Sequence, residues 1–270
     1  MAVVSALNIY PVKGCKGISL SEVDLAETGL RFDRHWVVTD PDGRFVTQRE
    51  LPRMALISTR LDGEALVLSA PDMDPLVLSV LQSGERVSVT VWRDRCFGFD
   101  QGTAAAAWFS AFLGRDLRLI RFDASTRRGS DAAYTDGAAA WTEFSDGFAI
   151  LIISEASLAD LNGRLDRPLP MNRFRPNVVI TDVGAYEEDH LRALVADEVE
   201  LRLVKPCTRC QVTTTDQDTG LRSLEPLRTL GFYRMNPVFG GVTFGQNAIV
   251  ARGAGEKLYV GQELQDVWNF

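Results

Sequence analysis

The run Lys205-Pro206-Cys207-Thr208-Arg209-Cys210 carries two of the four cysteines of the chain, three residues apart, among two cations. The thiolate, rather than the thiol, attacks electrophiles and ligates metals, and a nearby positive charge favours it. A thioredoxin-type pair wants its first cysteine at a helix N-terminus, where the macrodipole stabilises the anion. The residues that follow, Gln211-Val212-Thr213-Thr214-Thr215, read as a strand, which argues against that chemistry. A structural zinc site is disfavoured by its ligand count: His35 and His190 are the only histidines, and no second CxxC or HxxxH accompanies the pair. Two readings remain. Both thiols are inert buried side chains, the common fate of an intracellular cysteine, or one is a metal ligand, the reading that Lys205 and Arg209 favour.

Further cations stand in short turn-like stretches. Lys13 and Lys16 lie in Tyr10-Pro11-Val12-Lys13-Gly14-Cys15-Lys16-Gly17, Arg34 lies in Phe32-Asp33-Arg34-His35-Trp36, and Arg173 and Arg175 lie in Asn172-Arg173-Phe174-Arg175-Pro176-Asn177. Taken singly, each is most simply a solvated surface charge. Taken together they suit an anionic ligand, since a phosphate needs cations and backbone N–H groups, and a fused heterocycle needs planar donors and acceptors such as Asn177.

The elements that must position these residues are mainly strands. Val3 to Tyr10, Ile18 to Leu25 and the alternating Arg86 to Val91 have strand patterns. Trp36 to Thr39 and Arg44 to Gln48 are expected to pair across Asp40-Pro41-Asp42-Gly43, and Met54 to Arg60 with Ala65 to Ser69 across Asp62-Gly63. Thr103 to Leu113 switches to a helical period with Gly114 as its cap, and Leu117 to Phe122 returns to strand. Asp123 to Asp146 is polar and aperiodic, which marks a loop or lid and the division between two halves, 1–122 and 123–270. In the second half, Phe148 to Ile153 leads into a helix capped by Ser154. After Asn177 to Ile180 come a helix near His190 and strands at Val199 to Val204, Gln211 to Thr215, Val242 to Phe244, Ala248 to Arg252, Lys257 to Val260 and Glu263 to Val267. With no βαβ alternation and no GxGxxG, the expected fold is mainly β: two β-barrel-like modules with a few covering helices.

Composition bounds the function. A formal charge of −7 removes the diffuse positive field that nucleic-acid binding requires. The longest apolar run, Phe148 to Ile153, is too short to span a bilayer, and the N-terminus has no signal-peptide pattern. Four scattered cysteines do not make a disulfide framework, so a cytoplasmic protein with neither membrane nor nucleic acid as partner is expected.

Four of these segments, in this order, resemble the MOSC-domain proteins related to the mitochondrial amidoxime-reducing component: Tyr10 to Gly17, Ile153 to Asn162, Phe174 to Ile180 and Cys207 to Asp216. The resemblance spans Leu7 to Leu264 and implies an N-terminal β-barrel module followed by a MOSC domain. It also implies a molybdopterin-bound molybdenum whose protein ligand and catalytic thiolate is Cys210, with Cys207 a neighbour. Lys13, Gly14, Arg34, Arg175, Asn177, Thr208 and Arg209 would contact the pterin or its phosphate, some through the backbone. Gly14 stands where eukaryotic members carry Ser, and Gly147-Phe148 where they carry two hydroxyl residues.

The implied activity is reduction of N-hydroxylated compounds (amidoximes, hydroxylamines, N-oxides) to the amine or amidine. No membrane anchor or cluster-binding cysteine set is found here, so a separate ferredoxin, flavoprotein or cytochrome b5 type protein is expected to supply electrons. The alternative is a carrier of cofactor or sulfur, as in molybdenum-cofactor sulfurases, although the strand-rich N-terminal half leaves no room for their pyridoxal-phosphate domain. A third reading, a cofactor-free adaptor, leaves the clustered cations without a purpose.

Overall fold

The computed structural model describes residues 1–269. Seven strands close into a barrel in the order Ile150–Ser154, Val178–Thr181, Ala2–Ile9, Glu263–Trp268, Leu191–Ala196, Val199–Thr208 and Gly241–Arg252, which pairs back to Ile150–Ser154. Only Ile150–Ser154 and Val178–Thr181 run parallel, and the Glu155–Asn162 helix lies in their connection, as a parallel crossover requires. Every residue of Ile150–Ser154 is buried because the strand is covered on both faces. Ile150 and Ile152 point into the core with Leu7, Ile180, Leu201 and Leu264, while Leu151 and Ile153 join an outer cluster with Leu161, Phe174 and Phe244. The first strand of the chain thus completes the barrel of the second half.

The N-terminal half contributes a half-barrel, Trp36–Thr39, Arg118–Phe122, Asp94–Asp100 and Arg86–Val91, and a meander of Ser58–Asp62, Ala65–Ser69 and Leu76–Ser79. The Thr103–Leu113 helix packs Trp108, Phe109 and Phe112 into their shared core and ends at Gly114 in the left-handed conformation. The architecture is mainly β: among the described residues, a closed seven-strand barrel, a half-barrel and three α-helices.

Several expected elements differ. Gln211–Thr214 is a 3-10 turn rather than a strand, with Cys210 as its N-cap. The β-branched run misled because the hydroxyls of Thr213 and Thr214 donate to the carbonyls of Cys210 and Gln211, at 3.0 and 2.8 Å, which closes a turn locally. Pro52–Leu56 is likewise 3-10, leaving only Ser58–Asp62 to form the second hairpin. The two expected strands at Val242 and Ala248 are one, Gly241–Arg252, kinked at Gly245. There φ is +75° and a Cβ would fall 2.5 Å from Ile153 Cγ1, so the glycine is a bulge and not a break. The expected helix near His190 is the 3-10 turn Glu187–His190, and the Leu227–Tyr233 helix carried no sequence signal, being seven residues long with Gly231 inside it.

Candidate functional site

A cleft of about 920 Å³, part of it open to solvent, lies between the two β modules. The lining comes from separate stretches of chain, among them Lys13 and Gly14; Arg34; Thr47 to Arg49; Ser145 to Phe148; Arg175 and Asn177; and Cys207 to Cys210. The eight residues that the resemblance assigns to the site, Lys13, Gly14, Arg34, Arg175, Asn177, Thr208, Arg209 and Cys210, line this one cavity, whereas Lys16, which pairs with Asp218, and Arg173, which faces a neighbouring groove, do not. Thr47, Gln48, Arg49, Ser145 and Asp146 were missed, because a polar run after a strand or loop looks like any surface segment.

Backbone pairing brings the N-terminal cations in. Lys13 N–H donates to the Trp36 carbonyl and Arg34 N–H to the Tyr10 carbonyl, both near 2.9 Å, so the two turn-like segments lie side by side. Gly14 takes φ +89°, where a Cβ would fall 2.8 Å from Met54 Cε, and its carbonyl accepts from Gln48 Nε2 at 2.7 Å. Arg34 and Arg175 both hold left-handed backbone, φ 50° and 57°, a conformation rarely adopted by non-glycine residues and concentrated at functional sites. Their guanidinium groups lie over the Tyr10 ring, 4.4 and 4.1 Å from its centroid. Burial raises the Tyr10 phenol to about 12, so the ring stays neutral.

Charges in the cleft are partly compensated. Burial lowers the pKa of Lys13, while its ammonium donates to the Phe144 carbonyl and to Asp146 Oδ1, each at 2.7 Å. Burial would raise the Asp146 carboxyl, but Lys13 and the Trp92 indole N–H hold it well below the usual carboxylate range. Arg34 pairs with buried Asp33 and donates to Asn177 Oδ1 at 3.0 Å. Asn177 also accepts from Leu151 N–H and donates to the Asn8 carbonyl, so three of its four hydrogen bonds are made within the protein and it braces the wall.

Arg175 and Arg209 are less satisfied. Burial lowers Arg175 to about 10; its Nη1 meets Gln217 Oε1 at 3.4 Å, and its buried Nη2 has no partner among the described residues. Arg209 donates to the Phe174 carbonyl at 2.6 Å and to Cys207 Sγ at 2.9 Å, while its buried Nε has none. The two cysteines are therefore distinct: the Cys207 sulfur is engaged by Arg209, and Cys210 Sγ makes no hydrogen bond among the described residues. No group of three or more His, Cys, Asp and Glu placed to hold a metal ion occurs among the described residues. Cys15 and Cys96 are buried elsewhere, and burial pushes their thiols up to about 12 and about 11.

The stretch expected to be a free loop, Asp123 to Asp146, is tied down beside the cavity. Arg128–Gly129 pairs with Trp141–Thr142, and the buried Arg128 guanidinium donates to the carbonyls of Glu143, Ser145 and Asp146.

Comparison with known proteins gives a consistent result over both halves. Residues 1–116 match the MOSC N-terminal beta barrel domain, and residues 140–265 match the MOSC domain. The mitochondrial amidoxime reducing component 2 of Bos taurus is 39% identical over 242 residues, covering 86% of this chain and 72% of the relative. The human mitochondrial amidoxime-reducing component 1 is 40% identical over 244 residues, with the same coverage. The molybdenum cofactor sulfurase of Oryza sativa subsp. japonica is 33% identical, covering 97% of this chain and 35% of that protein.

Proposed function

This chain belongs to the MOSC-domain family that includes the mitochondrial amidoxime-reducing components, and from that premise we propose that it is a molybdenum-cofactor-dependent reductase of N-hydroxylated compounds, acting in the cytoplasm. The observation that carries the reading is the convergence of eight residues from four separated segments on one cleft, where buried Arg175 and half-buried Arg209 each keep a buried nitrogen without a partner among the described residues. Among the described residues, no helix is long and apolar enough to cross a membrane.

The residues present fit a molybdopterin. Its phosphate and planar ring system match the unpartnered nitrogens of Arg175 and Arg209 and the fixed wall around Asn177, and its metal matches a cysteine sulfur that no protein donor occupies. When bound, the molybdenum centre would supply the two-electron oxygen-atom chemistry by which an amidoxime, two electrons and two protons become an amidine and water. The share of the chain is binding and orientation. Arg175 and Arg209 would hold the anionic end, Lys13, Gly14, Arg34 and Thr208 its flanks, and Cys210 the metal. A separate electron-donor protein would complete the cycle.

The test is turnover. Protein produced in a molybdopterin-competent host and supplied with a reduced dye is expected to convert benzamidoxime to benzamidine. Molybdenum-loaded protein that reduces no N-hydroxylated compound would put forward the second reading, a cofactor or sulfur carrier, which the similarity to the rice sulfurase favours.

A further inference from the structure

At the rim of the cleft one cation sits among rings instead of carboxylates. Lys205 Nζ lies 4.2 Å from the centroid of Tyr134 and 5.8 Å from that of Phe239, and it makes no ion pair among the described residues. Tyr134 meets Phe148 edge-on, with centroids 6.2 Å apart, and tilts against Phe239 at 6.3 Å. Phe148 is itself part of the cavity lining, and so is Asn247, the cross-strand partner of Lys205. The three rings come from three separate segments. All three are only partly buried, whereas an aromatic cluster serving the core alone would be covered.

An aromatic cage of this kind recognises cations through the ring quadrupole. Here the position for a cation is already filled, by the ammonium group of the chain's own Lys205. What the rim offers a ligand is then an apolar ring, Phe148, packed on the Tyr134 ring that carries the Lys205 ammonium. A neutral planar molecule gains stacking there, while a cation meets repulsion from the ammonium. The proposed reaction converts one into the other: the electron-withdrawing hydroxyl keeps an amidoxime neutral near pH 7, whereas the amidine left after oxygen removal is a strong base and carries a proton.

Building on the reductase reading, we propose that Tyr134, Phe148 and Phe239 form an aromatic substrate subsite at the cavity mouth, and that Lys205 makes it selective for neutral planar N-hydroxylated compounds over their protonated amidine products. Substrate is drawn to the rim and product is expelled from it, which limits product inhibition. Lys205 is here a specificity residue; it takes no part in bond making.

The experiment uses two probes of nearly the same shape, neutral benzamide and cationic benzamidine, titrated calorimetrically into the cofactor-loaded protein. Wild type is expected to bind benzamide about tenfold more tightly than benzamidine. Lys205→Met should bring benzamidine to within about twofold of benzamide, Lys205→Arg should keep the discrimination, and Tyr134→Ala should weaken benzamide about fivefold. Lys205→Gln serves if the methionine variant is poorly folded. Equal binding of the two probes by wild type, no detectable binding of either, or a ratio unmoved by loss of the ammonium would overturn the proposal. Binding does not depend on turnover, so the two readings fail separately. An intact ratio without benzamidoxime reduction contradicts the reductase and leaves the subsite standing, and reduction with an unmoved ratio does the reverse.

Discussion

Glu188 and Arg175 are both ionisable side chains buried in the barrel half of the molecule, and their surroundings are opposite in kind. Glu188 is closed in upon: Oε1 accepts from Ser154 N–H at 3.2 Å and from the Ser157 hydroxyl at 2.7 Å, and Oε2 accepts from the Ser154 hydroxyl at 2.9 Å. Arg175 is left open, with one long hydrogen bond, a ring beneath it, strained backbone and an unpartnered nitrogen beside a cleft. A buried polar group that serves only the fold is satisfied by the fold, because an unmade hydrogen bond costs about 1–3 kcal/mol. A group that serves a ligand keeps its donors in reserve. Arg173 qualifies the comparison: it too has unpartnered nitrogens, but it opens on a neighbouring groove with Asp216 only 3.9 Å away.

The largest effect expected from this difference is on stability at the closed site. Glu188→Ala removes the acceptor of Ser154 N–H and of the paired Ser154 and Ser157 hydroxyls and should destabilise the cofactor-free protein by about 3 kcal/mol in urea unfolding. Next is ligand retention at the open site. Arg175→Gln and Arg209→Met should each lower molybdenum retention on dialysis by about 10–100-fold, the usual range for groups that support a metal site. Smaller is the cost of Arg175→Gln to the cofactor-free fold, within about 1 kcal/mol of wild type, because no strong hydrogen bond is lost. If that variant unfolds as readily as Glu188→Ala, the open and closed sites are not different in kind.

The smallest effect is a slope with pH. Burial raises the Glu188 carboxyl above its ordinary 4.5, against the hydrogen bonds from Ser157 and Ser154 that favour the anion. The folded chain therefore keeps this proton at a pH where the unfolded chain has released it, so its contribution is fully present below 4.5 and is lost as pH rises through the folded-state value. Glu188→Gln should flatten that part of the stability profile in urea unfolding measured across acid to neutral pH. A profile as steep as that of wild type would place the titrating group elsewhere.

How much of this was legible in the sequence depended on the range of the interaction concerned. The Thr103–Leu113 helix and its Gly114 cap, the Ser154 cap and the strand at Arg86–Val91 are written in neighbouring residues and were found. The turn at Gln211–Thr214 was misread because threonine favours a strand by shape and closes a turn by its hydroxyl, and only the local hydrogen bonds decide between them. Barrel closure by Ala2–Ile9 joins residues more than 170 positions apart, as in the pairing of Val3 with Thr181, and periodicity holds no record of that partner. In the cleft, the motif residues were readable as chemistry. Thr47 to Arg49 and Asp146 were not, since their place there is fixed by long-range contacts such as Trp92 to Asp146 and Gln48 to Gln217.

The central claim is that Cys210 is the protein ligand to molybdenum and Cys207 is not, and X-ray absorption at the molybdenum edge tests it most directly. Wild type, Cys210→Ser and Cys207→Ser would be prepared in a molybdopterin-competent host and their metal–sulfur coordination compared. Cys210→Ser should lose one sulfur from the metal's shell together with benzamidoxime reduction. Cys207→Ser should keep the wild-type shell and a substantial part of the activity, having lost a sulfur contact with Arg209 and packing against the outer apolar cluster. Loss of a sulfur in Cys207→Ser with the shell intact in Cys210→Ser would assign the ligand to the other cysteine, and an unchanged shell in both variants would contradict the account.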